Sequence, residues 1–162
     1  MTAPGLWVMF GLAVLAGAVV PLQAGANAAL GRSLGHPLWA TLVSLLVSVV
    51  VIAPLLLAGR APTPNFGEAL RGPWWIWIGG VAGVLYITAA LTLAPRLGAA
   101  SFIVAVIAGQ MLISMLIDHF GLMGFATKPV SLARMLGVGL ILVGMVVTQM
   151  ATMSSTPVLA GR

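Results

Sequence analysis

The sequence predicts an all-α membrane protein with five transmembrane helices, and three observations support this. Hydrophobic residues make up 61% of the 162 positions and charged residues 6%, a balance far outside the range of soluble domains. Five uncharged stretches each approach the roughly 20 residues that a helix needs to cross a bilayer core. The charged residues stand between these stretches, where a membrane protein exposes them to water.

The predicted spans cover residues 6–30, 38–58, 74–94, 99–117 and 135–150. Their apolar runs are continuous, which argues against a transmembrane β-barrel with its short alternating strands. The first stretch has no basic segment before it and is too long for the apolar region of a signal peptide, so we interpret it as a retained helix. We expect one transmembrane domain, residues 1–152, and a flexible tail, residues 153–162.

Local signals mark where the helices begin. Pro37 stands directly before the second span and Pro73 directly before the third. The first turn of a helix tolerates a residue without a backbone N–H. Asn65 with Glu68 three residues later resembles a helix cap, so a short interfacial turn is expected in the longest connection, 59–72. Trp74 and two neighbouring tryptophans stand where the third span begins, as indoles do at membrane interfaces.

Positive charge is almost evenly divided between the two sides of the membrane. Five spans put the termini on opposite sides. One side carries four basic residues and the other three, namely Arg60, Arg71, Lys128 and Arg134 against Arg32, Arg96 and Arg162. The positive-inside rule needs a clear excess to set an orientation. Two interpretations stay open: a single orientation fixed by local details, or dual topology, in which copies insert both ways and pair antiparallel.

Polar side chains recur three or four residues apart in four of the five spans, so each group lies along one helix face. The predicted substrate-binding residues are Gln23, Asn27, Ser48, Tyr86 and Gln110. The alternative is hydrogen bonding between helices, worth about 0.6 kcal/mol on average. Serine and threonine favour that alternative because they can bond to their own backbone, whereas an amide has several groups to satisfy.

The charged residues near span ends supply two weaker hypotheses. Arg32 and Arg96 are candidate contacts for an anionic head group, because the start of the fourth helix offers free backbone N–H groups beside Arg96. Their alternative role is interface anchoring. Asp118 and His119 are a candidate proton relay or an interfacial pair.

Several functions are disfavoured by what the sequence contains. No acidic or basic residue lies deep within a predicted span, which argues against export coupled to a buried carboxylate. The chain has no cysteine, and we find no nucleophile–base arrangement or metal-ligand cluster. We therefore expect no enzyme activity, no metal ion and no other cofactor. The basic residues are scattered singly at span ends, so we expect no nucleic acid partner.

Glycines are spaced for close helix contact in two spans. Gly79 and Gly83 form a G-x-x-x-G pattern in the third span, and Gly137 and Gly144 stand seven apart in the fifth. Such faces allow two helices to approach closely. We expect one of the two faces to pack between subunits, and the sequence does not say which.

Short motifs along the chain resemble those of the YdcZ-like family of small bacterial inner-membrane proteins. They are QAGANAALGR at 23–32, GGVAG at 79–83, PRLGAA at 95–100, GQ at 109–110 and DHFG at 118–121. This family belongs to the drug/metabolite transporter superfamily and is described as containing exporters. The resemblance covers nearly the whole chain apart from the tail and implies no particular substrate. The residues of this chain that match motif positions of the family are Gln23, Asn27, Arg96, Gly109, Gln110 and Asp118.

The resemblance implies five-helix subunits that pair in inverted orientation, as a homodimer, as a heterodimer with an inverted paralogue, or as fused halves. Small multidrug-resistance relatives use a glutamate in the first helix, and this chain has no acidic residue there. We expect a transporter in the bacterial inner membrane, in contact with lipid, that moves a neutral or amphiphilic and lipid-like substrate. The alternatives are export of small hydrophilic metabolites or drugs, and a non-transporting membrane subunit.

Overall fold

The computed structural model describes residues 3–154, and the regular elements in that range are all helical. They are α1 (Ala3–Leu34), α2 (Pro37–Ala58), α3 (Phe66–Arg71), α4 (Ile78–Leu97), α5 (Ala99–Phe120) and α6 (Leu132–Ser154), with 3-10 turns at Trp74–Trp77 and Leu122–Gly124. Within the described range five helices are long and apolar enough to cross a membrane; the third of them includes the tryptophan turn and runs Trp74–Leu97. The predicted all-α architecture with five spans is confirmed.

The helices extend beyond the predicted spans, most clearly at the two ends of the chain. Helix α1 has 32 residues, or roughly 48 Å at 1.5 Å per residue, which exceeds a hydrocarbon core of about 30 Å. Hydropathy marks the part of a helix that suits hydrocarbon, whereas backbone hydrogen bonding continues into the interface. Residues 153 and 154 end α6, and the rest of the predicted tail lies outside the described residues.

The connection between α1 and α2 is short because three consecutive residues each suit a turn. Gly35 adopts φ +77°, a conformation that costs glycine little. His36 is extended, as expected before proline, and its Nδ1 accepts the Leu38 backbone N–H at 3.2 Å. Pro37 then occupies the first helical position.

Helix α3 begins at the predicted cap. The side chain of Asn65 accepts the backbone N–H of Glu68 at 3.1 Å and donates to the Glu68 carboxylate at 3.0 Å. The expected cap is therefore confirmed. The tryptophan turn follows directly, and Trp74 is largely exposed, which suits a membrane interface.

Helix α5 is bounded by glycines with positive φ. Gly98 precedes it at φ +83°, and Gly121 ends it in the left-handed region at φ +62°. A Cβ on Gly121 would stand 2.6 Å from Thr127 Oγ1, so the following loop leaves no space for a side chain. The Lys128 N–H donates to the Asp118 carbonyl at 2.7 Å, which fixes the return of the chain toward α6.

The chain divides into two compact units, the first extending to Arg96 and the second beginning at Leu97. In the first unit, Ala40, Ile87 and Leu91 form a small buried core between α2 and α4. Thr41 and Thr88 join the same two helices through a hydroxyl–hydroxyl bond of 3.0 Å.

The second unit is an antiparallel hairpin of α5 and α6, whose ends are joined by polar contacts. The start of α5 meets the end of α6, where the Ser101 and Thr152 hydroxyls lie 3.0 Å apart. Near the opposite end of the hairpin, Arg134 of α6 donates to the Asp118 carboxylate of α5 at 3.1 Å.

Most of the helical surface faces outward from a single subunit. In the most hydrophobic part of each span, at most 17% of the residues are buried within the chain. Hydrocarbon or a second chain must therefore cover these apolar faces. A Cβ added to any of Gly79, Gly83, Gly137 and Gly144 would meet no atom of the described chain within 4 Å, so neither glycine face is used in packing within the described subunit.

Candidate substrate site

A small cavity between α1 and α4, the α1–α4 cavity, brings three of the predicted binding residues together. Gln23 and Asn27 border it from α1 and Tyr86 borders it from α4. The remaining walls are apolar and come from Val20, Ala24, Ile87 and Ala90. Its free volume is about 10 Å³, which is close to the minimum for a single water molecule. It is therefore a meeting point of polar groups and has no room for a substrate in this conformation.

Asn27 is buried although its side chain is polar. Its exposed fraction is 8%, and the neighbouring alanines on the same face of α1, Ala24 and Ala28, are also buried. Small side chains at these positions leave α1 with a shallow surface on which the amide of Asn27 is the main polar feature. Gln23, one turn earlier, is exposed at the rim of the cavity.

A second and much larger depression, the α2 groove, begins at Gln23 and follows one face of α2. It has a volume of about 760 Å³, is wide open, and includes the predicted residue Ser48. Its other residues are Ser44, Leu45, Val47, Val49, Val51 and Ile52. Gln23 therefore borders both the closed α1–α4 cavity and an open apolar surface.

The hydroxyl groups of the spans are satisfied largely within the chain. Ser48, Thr92 and Thr148 each donate to a backbone carbonyl four residues earlier, at 2.8–3.0 Å. Thr41 and Ser101 bond across to another helix of their own unit. These contacts are the alternative role expected for serine and threonine.

The amides divide into two groups. The chain has three glutamines and two asparagines. Asn65 bonds to Glu68, and Gln149 donates to the Ser101 carbonyl at 3.1 Å. The structure gives the amides of Gln23, Asn27 and Gln110 no hydrogen-bond partner among residues 3–154. These three were the amides predicted to contact substrate.

Depth also separates the predicted residues. Ser48, Tyr86 and Gln110 lie within one residue of the centres of their spans, and Gln23 lies about 5 Å from the centre of its own at 1.5 Å per residue. Asn27 lies nearer the end of α1. Gln110 is exposed on α5 in the second unit, while the α1–α4 cavity belongs to the first.

The two arginines proposed as head-group contacts stand in the last turns of α1 and α4. Arg32 and Arg96 are both exposed, and neither forms an ion pair with an acidic residue of the described chain. Their guanidinium groups are accessible to an anion, as the hypothesis requires.

Asp118 and His119 face different partners. The carboxylate of Asp118 pairs with Arg134, whereas Nδ1 of His119 accepts the backbone N–H of Val130 at 3.3 Å. The His119 ring also stands edge-on to Phe120, with centroids 4.7 Å apart. In this conformation both side chains help to hold the connection between α5 and α6.

Sequence reasoning missed two residues that the structure assigns to contacts. Gln149 was not singled out, and Arg134 was treated only as a topology charge. A signal for Arg134 was present, because Asp118 and Arg134 stand near the facing ends of consecutive helices. The contact between Gln149 and Ser101 requires the register of α5 against α6, which the sequence does not reveal.

Five apolar helices, with polar side chains at mid-membrane depth and most charges near the helix ends, define a small multi-pass membrane protein. Residues 8–147 match the model of the family described as "Putative inner membrane exporter, YdcZ". The chain belongs to this family. The match confirms the resemblance inferred from the motifs, and it confirms the predicted location in the inner membrane. Comparisons with curated proteins and with solved structures found no match.

Proposed function

We propose that the protein is a secondary transporter that works as an antiparallel dimer and moves a neutral or amphiphilic, lipid-like substrate. The observation that supports it best is the pair of amides at the α1–α4 cavity. Gln23 and Asn27 border one space, and the described residues offer neither amide a hydrogen-bond partner. The substrate would contact these two residues together with Ser48, Tyr86 and Gln110.

The unsatisfied amides favour binding over helix packing. A polar group without a partner in an apolar environment costs roughly 1–3 kcal/mol by protein mutational data. Gln149 shows that this chain satisfies an amide internally where packing alone is needed. Gln23, Asn27 and Gln110 are therefore suited to a group that arrives from outside the subunit, and a substrate is one such group.

The character of the substrate follows from the charges and the α2 groove. The cavity contains no charged side chain, so an ionic group placed there would lack a counter-charge. The α2 groove is open and largely apolar and leads to Gln23, which suits a substrate that enters sideways from the bilayer. Arg32 or Arg96 would meet its head group at the membrane surface.

The dimer follows from the way transporters of this type are built. Many consist of inverted repeats with the substrate site at the repeat interface, and one five-helix subunit supplies one repeat. The glycine face of α4, formed by Gly79 and Gly83, is free to meet a second subunit. The proposal involves no chemical step, metal ion or cofactor, and the alternative partner is an inverted paralogue.

The substrate site is tested by a flux screen of lipids, amphiphiles and hydrophilic solutes in proteoliposomes. For each transported compound, Asn27→Leu and Gln110→Ala should slow flux about tenfold or more, since a substrate group left unsatisfied costs roughly 1–3 kcal/mol. Thr92→Val is the matched control, because the Thr92 hydroxyl bonds to carbonyls of its own helix. It should leave flux unchanged.

Unchanged flux in both amide variants would remove these residues from the site. Flux of hydrophilic solutes without flux of amphiphiles would favour the alternative exporter. If the reconstituted protein transported none of the compounds, the non-transporting subunit would be favoured.

Topology is tested with a reporter at the C-terminus. We expect the wild-type reporter on both sides of the membrane, because the basic residues divide four to three. Ala61→Lys adds one charge to the loop that holds Arg60 and Arg71. It should retain that loop in the cytoplasm and move the C-terminus outside, whereas Ala61→Gln should change nothing. A wild-type reporter on one side only would exclude the homodimer and leave the inverted paralogue.

A further inference from the structure

Helices α5 and α6 form a third depression, the α5–α6 groove, which shares no residue with the α1–α4 cavity or the α2 groove. It has a volume of about 270 Å³ and is open to one side. Its walls are Met111, Ser114, Met115 and Asp118 of α5 with Arg134, Gly137, Val138 and Ile141 of α6. This volume lies just below the roughly 300–1,000 Å³ of pockets for drug-sized ligands, so a slender chain fits it better than a bulky molecule.

The groove runs lengthwise along α5, the direction in which this helix would cross a membrane. Met111 lies near the centre of α5, and Asp118 stands two residues before its end. Seven residues of helix cover about 10 Å, and a 22-residue helix matches the thickness of the hydrocarbon core. The groove therefore extends from the middle of the membrane to its surface, as a lipid acyl chain does.

Two opposite charges stand at the surface end of the groove. Arg134 Nη1 and Asp118 Oδ2 lie 3.1 Å apart, with side chains 42% and 30% exposed. A guanidinium has five N–H donors and a carboxylate has about four acceptor positions, so this single bond leaves capacity on both sides. A bare anion would meet repulsion from the carboxylate, whereas a head group with both charges would match the pair.

We propose that the α5–α6 groove binds a phospholipid with a zwitterionic phosphate–ammonium head group. One acyl chain lies between Met111 and Ile141, the phosphate meets Arg134, and the ammonium meets Asp118. The apolar walls bind the chain and the ion pair selects the head group. This lipid is bound as a ligand of the hairpin and is separate from the transported substrate.

Gly137 offers a direct way to fill the groove. A Cβ at this position would meet no atom of the described chain within 4 Å, so the larger side chain of Gly137→Leu can enter the groove without displacing backbone. Gly139 on the same helix has equally open surroundings but does not line the groove. Gly139→Leu is therefore the matched control.

The experiment is native mass spectrometry of the delipidated protein titrated with phosphoethanolamine or phosphoglycerol lipids of identical chains. Wild type and Gly139→Leu should retain the phosphoethanolamine lipid in preference, and Gly137→Leu should retain about tenfold less, equivalent to 1.4 kcal/mol. Asp118→Asn should lose the preference for the ammonium head group while still binding lipid. Met111→Trp, which fills the groove from α5, should act like Gly137→Leu.

Three results would overturn the proposal. Equal retention by wild type, Gly137→Leu and Met111→Trp would show that lipid does not use the groove. A wild-type preference for phosphoglycerol would contradict the role of Asp118. Loss of the dimer in Gly137→Leu with lipid retention intact would identify the groove as a contact between copies of the chain.

Discussion

In the hairpin of α5 and α6, polar side chains bond to one another near both ends, whereas the unit that contains α1, α2 and α4 leaves two amides beside an almost closed cavity. The hairpin joins Ser101 to Thr152 near one end and Asp118 to Arg134 near the other. In the first unit, Gln23 and Asn27 have no such partner among the described residues. The polar contacts of the hairpin thus hold its two helices together, whereas the two amides of the first unit are available to bind a group from outside the subunit.

Gln110 is the exception within the hairpin. Its amide lies at mid-depth and has no hydrogen-bond partner in the described part of the chain, although Gln149 on the neighbouring helix is satisfied. In hydrocarbon the cost of an unpaired amide is greatest at mid-depth, where water does not reach. The unpaired amide of Gln110, unlike the satisfied amide of Gln149, therefore indicates a group supplied from outside the subunit.

The largest effect on stability is expected from substituting the glycine of a tight turn, and the two units differ in how crowded that glycine is. Gly35 and Gly121 both have positive φ, but a Cβ on Gly35 meets no described atom within 4 Å, whereas one on Gly121 stands 2.6 Å from Thr127 Oγ1. Left-handed backbone costs a residue with a Cβ about 1–2 kcal/mol. Gly35→Ala should lower the free energy of unfolding by that amount, and Gly121→Ala should lower it further.

Unfolding in detergent with increasing SDS measures both variants, and flux assays on the folded fraction show whether the site is affected. If Gly35→Ala destabilised the protein as much as Gly121→Ala, the α5–α6 connection would be no more rigid than the α1–α2 connection. The contrast between the two units would then fail.

The fold could be predicted from the sequence because it depends on one-dimensional properties. Apolar length gave the five spans, and Pro37 and the pair Asn65–Glu68 gave two helix starts. The helix ends could not be predicted from hydropathy, because α1 and α6 continue beyond the most apolar part of their sequences.

The candidate site could be predicted only as a set of residues at similar depth. The spacing of Gln23 and Asn27 puts both on one face of α1, and the structure adds that Tyr86 of α4 borders the same cavity. Which helix meets that face depends on side-chain fit between Ala24, Ile87 and Ala90, and periodicity does not determine it. The relation of Gln110 to these residues depends equally on packing between helices distant in sequence.

A smaller effect on stability would sharpen the contrast between the two kinds of amide. Gln149→Leu removes a bond to the Ser101 carbonyl and should lower the free energy of unfolding by about 0.6 kcal/mol, the mean for hydrogen bonds between membrane helices. Asn27→Leu removes an amide that has no partner in the described chain, so the unfolding free energy should stay equal or rise. Transport should respond in the opposite way, with flux lost in Asn27→Leu and kept in Gln149→Leu.

Measuring unfolding free energy and flux for both variants separates binding from packing. Loss of a packing contact lowers stability and leaves flux intact, whereas loss of a binding contact lowers flux and leaves stability intact. Greater destabilisation by Asn27→Leu than by Gln149→Leu would mean that Asn27 has a structural partner in the assembled protein, and a second subunit is the chain able to supply one. Repeating the measurement at several protein concentrations then identifies that partner. A contact between subunits makes the stability difference depend on concentration, whereas a contact within one subunit does not.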